Sequence, residues 1–203
     1  GKSNTIGWAS HRLSNLFDEN DQKIFTTVIV ITDRKVLDQQ LQDTIQQFES
    51  TRGVVVKIDE NSTQLAEALD GEAKIVVTTI QKFPFILGKV GEMKNRKFAV
   101  IIDEAHSSQS GKTAVQLREA LTKSAKDDDW QEDDEVSSEE LIANLIASRK
   151  RPPNVSYYAF TATPKSKTLE LFGRLDAEGK PEPFDVYSMR QAIEEGFILD
   201  VLK

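Results

Sequence analysis

The sequence predicts an α/β fold, a doubly wound, mainly parallel sheet flanked by helices, and two patterns carry that expectation. Five short runs are rich in β-branched and aromatic residues, and most stay apolar for at least four positions instead of alternating. Strands covered on both faces of a parallel sheet have this character. Segments with helical spacing lie between the runs, and such a layout places ligands at the carboxyl ends of the strands. The chain has 203 residues, no cysteine and no internal repeat. It is long enough for one large domain with a sizeable core and needs no disulfide.

The elements follow in order. The chain opens with GKS, Gly1 to Ser3, and then a helix holding Trp8 and His11. Trp8 is expected to be a packing residue and His11 a structural one. No Cys or His cluster has metal-ligand spacing. FTTVIVIT (Phe25 to Thr32) reads as the first strand, and RKVLDQQLQDTIQQF follows as a helix with Val36, Leu37, Leu41, Ile45 and Phe48 on one face. VVVKI (Val54 to Ile58) is a second strand. Behind Ser62, residues Leu65, Ala68 and Leu69 mark a shorter helix. KIVVTT (Lys74 to Thr79), KFAVIID (Lys97 to Asp103) and VSYYAFT (Val155 to Thr161) complete the strands.

Two regions depart from this rhythm. Residues of about 123–154 read as an insertion, with an acidic run, a short helix in SSEELIANLIASRK capped by Ser137 or Ser138, and then Pro152 and Pro153. In the tail, Ser188 is placed to cap a helix that stops at Gly196, and beyond Phe197 the chain is expected to lead to a further domain.

The formal charge is -7, but Asp127 to Glu140 holds nine acidic residues and no basic ones, leaving +2 for the rest. Such a run reads as a solvated surface loop, so composition does not exclude a DNA-binding face. No apolar run approaches membrane-spanning length and no signal peptide is visible. A soluble, cytoplasmic protein is expected.

In AVIIDEAHSSQSG, an apolar strand ends in Asp103 and Glu104, where two uncompensated carboxylates would be costly. A divalent cation and an attacking water give both acids a purpose: one holds Mg²⁺, the other orients or deprotonates the water. Taken alone, the pattern also describes a strand end with ordinary solvated acids. GKS matches the last three residues of a phosphate-binding loop, with Lys2 reaching the β and γ phosphates of ATP and Ser3 ligating Mg²⁺. The helix behind it points its dipole at the phosphates. The strand and glycines of that loop do not precede Gly1, so the chain is expected to begin inside the motif. TATP, Thr161 to Pro164, supplies short hydroxyls that can hydrogen-bond the acids of the adjacent strand, although alone it also reads as a strand exit.

GKS, then DEAH at 103–106, then TATP form an ordered set that resembles the first RecA-like motor domain of superfamily 2 helicases and translocases, over nearly the whole chain, 1–203. VIVITDRKVLDQQLQDTIQQF, VVTTIQKF, DEAHSSQSG and DVYSMRQAIEEGFILDVL further resemble stretches of the restriction (R) subunit of type I restriction-modification enzymes. That resemblance implies ATP-driven translocation on double-stranded DNA and cleavage by a separate nuclease domain. It also implies a complex with methyltransferase and specificity subunits.

The resemblance further implies roles where the motifs match. Gly1, Lys2 and Ser3 would hold the nucleotide, Ser3 and Asp103 the Mg²⁺, and Glu104 would activate water. His106, Thr161 and Thr163 would couple the nucleotide site to DNA. Arg34, Lys35, Thr78, Thr79 and Gln81 resemble DNA-backbone contacts, since cations, hydroxyls and amides bind phosphate without reading sequence. Arg34 and Lys35 also suit a solvated helix start. Two other readings stay open: the motor lobe of another DNA or RNA helicase, and a nucleotide-independent DNA- or subunit-docking scaffold. Intact Lys2, Asp103 and Glu104 argue against the scaffold, which has no need of all three.

Overall fold

The computed structural model describes residues 2–32, 43–45, 55–58, 62–71, 73–103, 152–162 and 164–197. They fall into two compact units, Gly1–Thr163 and Pro164–Lys203.

The first unit is built on a five-stranded sheet. Its strands are β1 (Thr27–Thr32), β2 (Val55–Ile58), β3 (Ile75–Thr79), β4 (Phe98–Asp103) and β5 (Val155–Phe160), in the spatial order β2-β3-β1-β4-β5. Every pairing is parallel. Among them run α1 (Lys2–Ser14), α2 (Ser62–Asp70) and α3 (Phe83–Glu92), with a 3-10 turn at Ile80–Lys82. The fold class is therefore the expected α/β.

The continuous apolar runs are explained by burial on both faces. Every residue of β1, β3 and β4 is buried. Side chains alternate between faces along a strand. One face carries Val28, Val30, Ile75, Val77, Ala99 and Ile101, which form a core with Ile6 of α1 and with Ile45. The opposite row, Ile29, Ile31, Val76, Val100 and Ile102, is just as fully withdrawn from solvent. At roughly 1.5–3 kcal/mol for each large side chain, these two rows are the main source of stability. The edge strand β5 differs, alternating between half-buried and exposed positions until Ala159.

α1 lies against β1, β3 and β4 through Ile6, Gly7, Ser10 and Ser14. The buried hydroxyls are satisfied within the helix, Ser10 Oγ donating to Gly7 O at 2.7 Å and Ser14 Oγ to His11 O at 3.0 Å. His11 Nε2 donates to Ile45 O at 2.7 Å, a structural contact that joins α1 to the helical residues 43–45. Trp8 corrects an expectation. It is 61% exposed, because a helix turning once every 3.6 residues points it away from the Ile6–Ser10 face.

One side chain pins the amino ends of β4 and β5. Asn154 Nδ2 reaches the carbonyls of Val90, Met93 and Arg96 at 2.8, 3.1 and 3.0 Å, while Asn154 O accepts from Phe98 N at 2.9 Å. Val90 O and Met93 O also accept from Met93 N and Arg96 N, so the amide adds a second donor to two carbonyls at the end of α3 and the following turn and supplies one to Arg96 O.

The second unit holds α4 (Ser166–Phe172), a small antiparallel hairpin of β6 (Arg174–Leu175) and β7 (Pro181–Glu182), and α5 (Met189–Glu194). Asp176 Oδ1 shapes the hairpin turn by accepting from Glu178 N and Lys180 N. Ser188 Oγ caps α5 by accepting from Gln191 N at 3.1 Å, and Gly196, with φ of 76°, lies beyond its end. The acidic run, most of the 34–48 segment and the chain beyond Phe197 lie outside the described residues.

Candidate functional site

The carboxyl end of the sheet brings together residues that are distant in sequence. Asp103 ends β4 and pairs in register with Phe160 of β5, while Thr32 ends β1 opposite Thr79 of β3. β1 and β4 match through Ile31 and Ile102, so the following rung sets Thr32 beside Asp103. Continuing the alternation that places Val30, Val77 and Ile101 in the α1-side core, Thr32, Thr79 and Asp103 all project from the α1 face.

α1 completes the arrangement from above. Lys2, its first residue, places Nζ 3.1 Å from Asp103 Oδ1, with the lysine side chain 30% exposed and the aspartate only 7%. Burial of a carboxylate is tolerated when a cation stands beside it. The amino terminus of the 13-residue α1 adds partial positive charge at the same place. Ser3, half-buried, follows Lys2 in the first turn. The site therefore offers an ammonium, a helix amino terminus, a hydroxyl and a buried carboxylate within one end of one sheet.

This donor set fits a phosphate group together with a hard divalent cation. The Asp103 carboxylate and the Ser3 hydroxyl are oxygen donors of the kind that Mg²⁺ prefers, and Lys2 complements phosphate. Among the described residues there is no group of three or more His, Cys, Asp or Glu side chains that could hold a metal alone. Mg²⁺ does not need one, because it usually keeps several waters and binds through one or two carboxylates plus substrate phosphates.

The other sequence-derived candidates are placed as follows. Thr79 is buried on the Asp103 face, whereas Thr78 is buried on the opposite face and directs its side chain away from the ion pair. Gln81 lies in the 3-10 turn that follows β3. Thr161, half-buried, comes directly after Phe160, the register partner of Asp103. Gly1, Arg34, Lys35, Glu104, His106 and Thr163 lie outside the described residues. Thr32 joins the site only through register. Nothing in TVIVIT singles out its last residue, and the pairing that sets it beside Asp103 links segments remote in sequence.

Comparison with known proteins adds the evolutionary context. Residues 1–126 match the family described as SWI2/SNF2 ATPase. The chain is 26% identical to the type I restriction enzyme SsaAORF53P endonuclease subunit of Staphylococcus saprophyticus, over 94% of this chain and 17% of that protein. It is also 26% identical to the SauCOLORF180P endonuclease subunit of a type I restriction enzyme from Staphylococcus aureus strain COL, with the same coverage. The chain thus spans 17% of the length of these curated relatives. Among solved structures, the helicase domain of Hef from Pyrococcus furiosus matches with a TM-score of 0.37 and 15% identity, over 76% of this chain and 32% of that one.

Proposed function

The chain belongs to the SWI2/SNF2 ATPase family, and from that premise we propose that residues 1–203 form the first RecA-like motor lobe of a type I restriction enzyme's R subunit. In this reading the lobe couples Mg-ATP hydrolysis to movement along double-stranded DNA. It works in the cytoplasm beside methyltransferase and specificity subunits, ahead of cleavage by a separate nuclease domain. Among the described residues, no helix is long and apolar enough to cross a membrane.

The single observation that carries the reading is the ion pair between Lys2 and Asp103. It unites the GKS segment with the DEAH segment at the carboxyl end of a central parallel strand, where doubly wound sheets bind their ligands.

Each residue then has a task. Gly1, Lys2 and Ser3 cradle the phosphates, with Lys2 supplying the positive charge that neutralises them. Asp103, with Ser3, orients the cation's hydration shell. Glu104 follows Asp103 directly and takes the proton from the attacking water. Bound Mg-ATP supplies the phosphoanhydride whose γ-phosphoryl group is transferred to that water. Thr161 and Thr163 follow β5, the neighbour of β4, and with His106 they relay the state of the site. Arg34, Lys35, Thr78, Thr79 and Gln81 serve the contacts to the DNA backbone.

The test is nucleotide hydrolysis by the full-length subunit with different polynucleotides. Strong stimulation by double-stranded DNA supports the reading. Stimulation by RNA instead identifies another kind of superfamily 2 motor, and no nucleotide binding at all identifies a scaffold.

A further inference from the structure

Thr32 is a polar residue in an unfavourable place. Its side chain is 1% exposed, and among the described residues its hydroxyl has no hydrogen-bond partner. A buried hydroxyl left in this way costs about 1–3 kcal/mol, and native structures hold few of them. Valine has nearly the same shape, would continue the preceding VIVI run and would avoid the cost. Packing therefore gives no reason for a threonine here.

The position does. Thr32 lies between Thr79 and Asp103 on one rung of the sheet, and all three project from the α1 face. Neighbouring strands are about 4.8 Å apart, which leaves the Thr32 hydroxyl and the Asp103 carboxylate within reach of one another by side-chain rotation. In the present arrangement Lys2 occupies Asp103. Under the proposed function, on which this inference rests, incoming phosphates compete with Asp103 for the Lys2 ammonium. An added donor then helps to hold the orientation of a carboxylate that is only 7% exposed and gives up its Lys2 contact.

We propose that Thr32 is a positioning residue for Asp103, its hydroxyl becoming a donor to the carboxylate when Lys2 turns to the nucleotide phosphates. The unmade hydrogen bond belongs to the nucleotide-free state, and making it favours the nucleotide-bound one. Thr32 acts through Asp103 alone and touches neither phosphate nor cation.

The experiment compares wild type with Thr32→Val, Thr32→Ala and Thr32→Ser in the full-length subunit. It measures the Kd for ATP with Mg²⁺, the Kd with excess EDTA, and the melting temperature without nucleotide. Removing the hydroxyl should raise the Kd for Mg-ATP by about tenfold or more, as expected for a hydrogen bond to a charged group. The EDTA value should rise less, because the positioned Asp103 carboxylate also holds Mg²⁺ when the cation is present. Thr32→Ser should restore Mg-ATP affinity, and Thr32→Val should melt no lower than wild type. An unchanged Mg-ATP affinity in both Thr32→Val and Thr32→Ala overturns the inference, as does an equal loss with and without Mg²⁺. Wild-type protein that fails to bind Mg-ATP overturns instead the function on which the inference rests.

Discussion

Lys2 opens α1 and Asp103 closes β4, far apart in sequence, yet their charged atoms are 3.1 Å apart. The pair is intermediate between a surface salt bridge and a buried one. Replacing Lys2 by alanine should therefore destabilise the fold by about 1–2 kcal/mol, between the values typical of those two classes. Asp103→Ala combined with Lys2→Ala should cost less than the sum of the single changes, with a coupling of about 0.5–2 kcal/mol. Urea denaturation of the four proteins measures it, and strictly additive losses would show that the pair contributes no coupling energy.

Glu104→Gln should stop hydrolysis in the full-length subunit while leaving nucleotide binding nearly intact. The amide keeps the shape of the side chain and removes its basicity, so turnover should fall by about 10² or more with little change in Kd. Rapid-quench hydrolysis beside a nucleotide titration separates the two quantities. A parallel loss of binding would assign Glu104 to the ground-state contacts.

Alanine at both Thr161 and Thr163 should reduce DNA translocation more than basal ATP hydrolysis. Thr161 follows the register partner of Asp103 without belonging to the ion pair itself. A triplex-displacement assay run alongside phosphate release compares the two activities. Equal losses would place these hydroxyls among the groups that act on the reacting phosphate.

Asn154→Ala should lower the stability of the first unit by about 1–3 kcal/mol, because it strips a shared donor from half-buried carbonyls at the end of α3. The denaturation midpoint should move while the m-value does not. A midpoint within error of wild type would mean that solvent replaces the amide without cost.

Gly173→Ala should disturb the second unit. A Cβ there would press on the backbone oxygens of Leu169 and Glu182 from two sides, nearer than real Cβ atoms come to backbone. Neither is the flexible end of a side chain, so α4 and β7 must separate, at about 1–3 kcal/mol or more. Loss of amide protection around Glu182 in hydrogen exchange is the expected sign, and unchanged protection would show that the hairpin yields easily.

What the sequence determined by itself was local or cumulative. TVIVIT, IVVTT and FAVIID carry runs of consecutive apolar residues that fall on both faces of the pleat, so only a sheet covered on both sides could hold them, and the α/β class followed. The Ser188 cap and the Gly196 stop were legible for the same reason, since each is decided within a few residues of chain. Tertiary structure decided the rest. The order β2-β3-β1-β4-β5 and its register depend on contacts between distant segments, and a shift of one residue would turn Thr32, Thr79 and Asp103 to the other face. That register puts Thr32 beside Asp103, separates the adjacent Thr78 and Thr79 by a sheet's thickness, and gives Lys2 its partner. Trp8 shows the same limit from the solvent side: a tryptophan's bulk favours burial, but the face on which α1 meets the sheet left it outside.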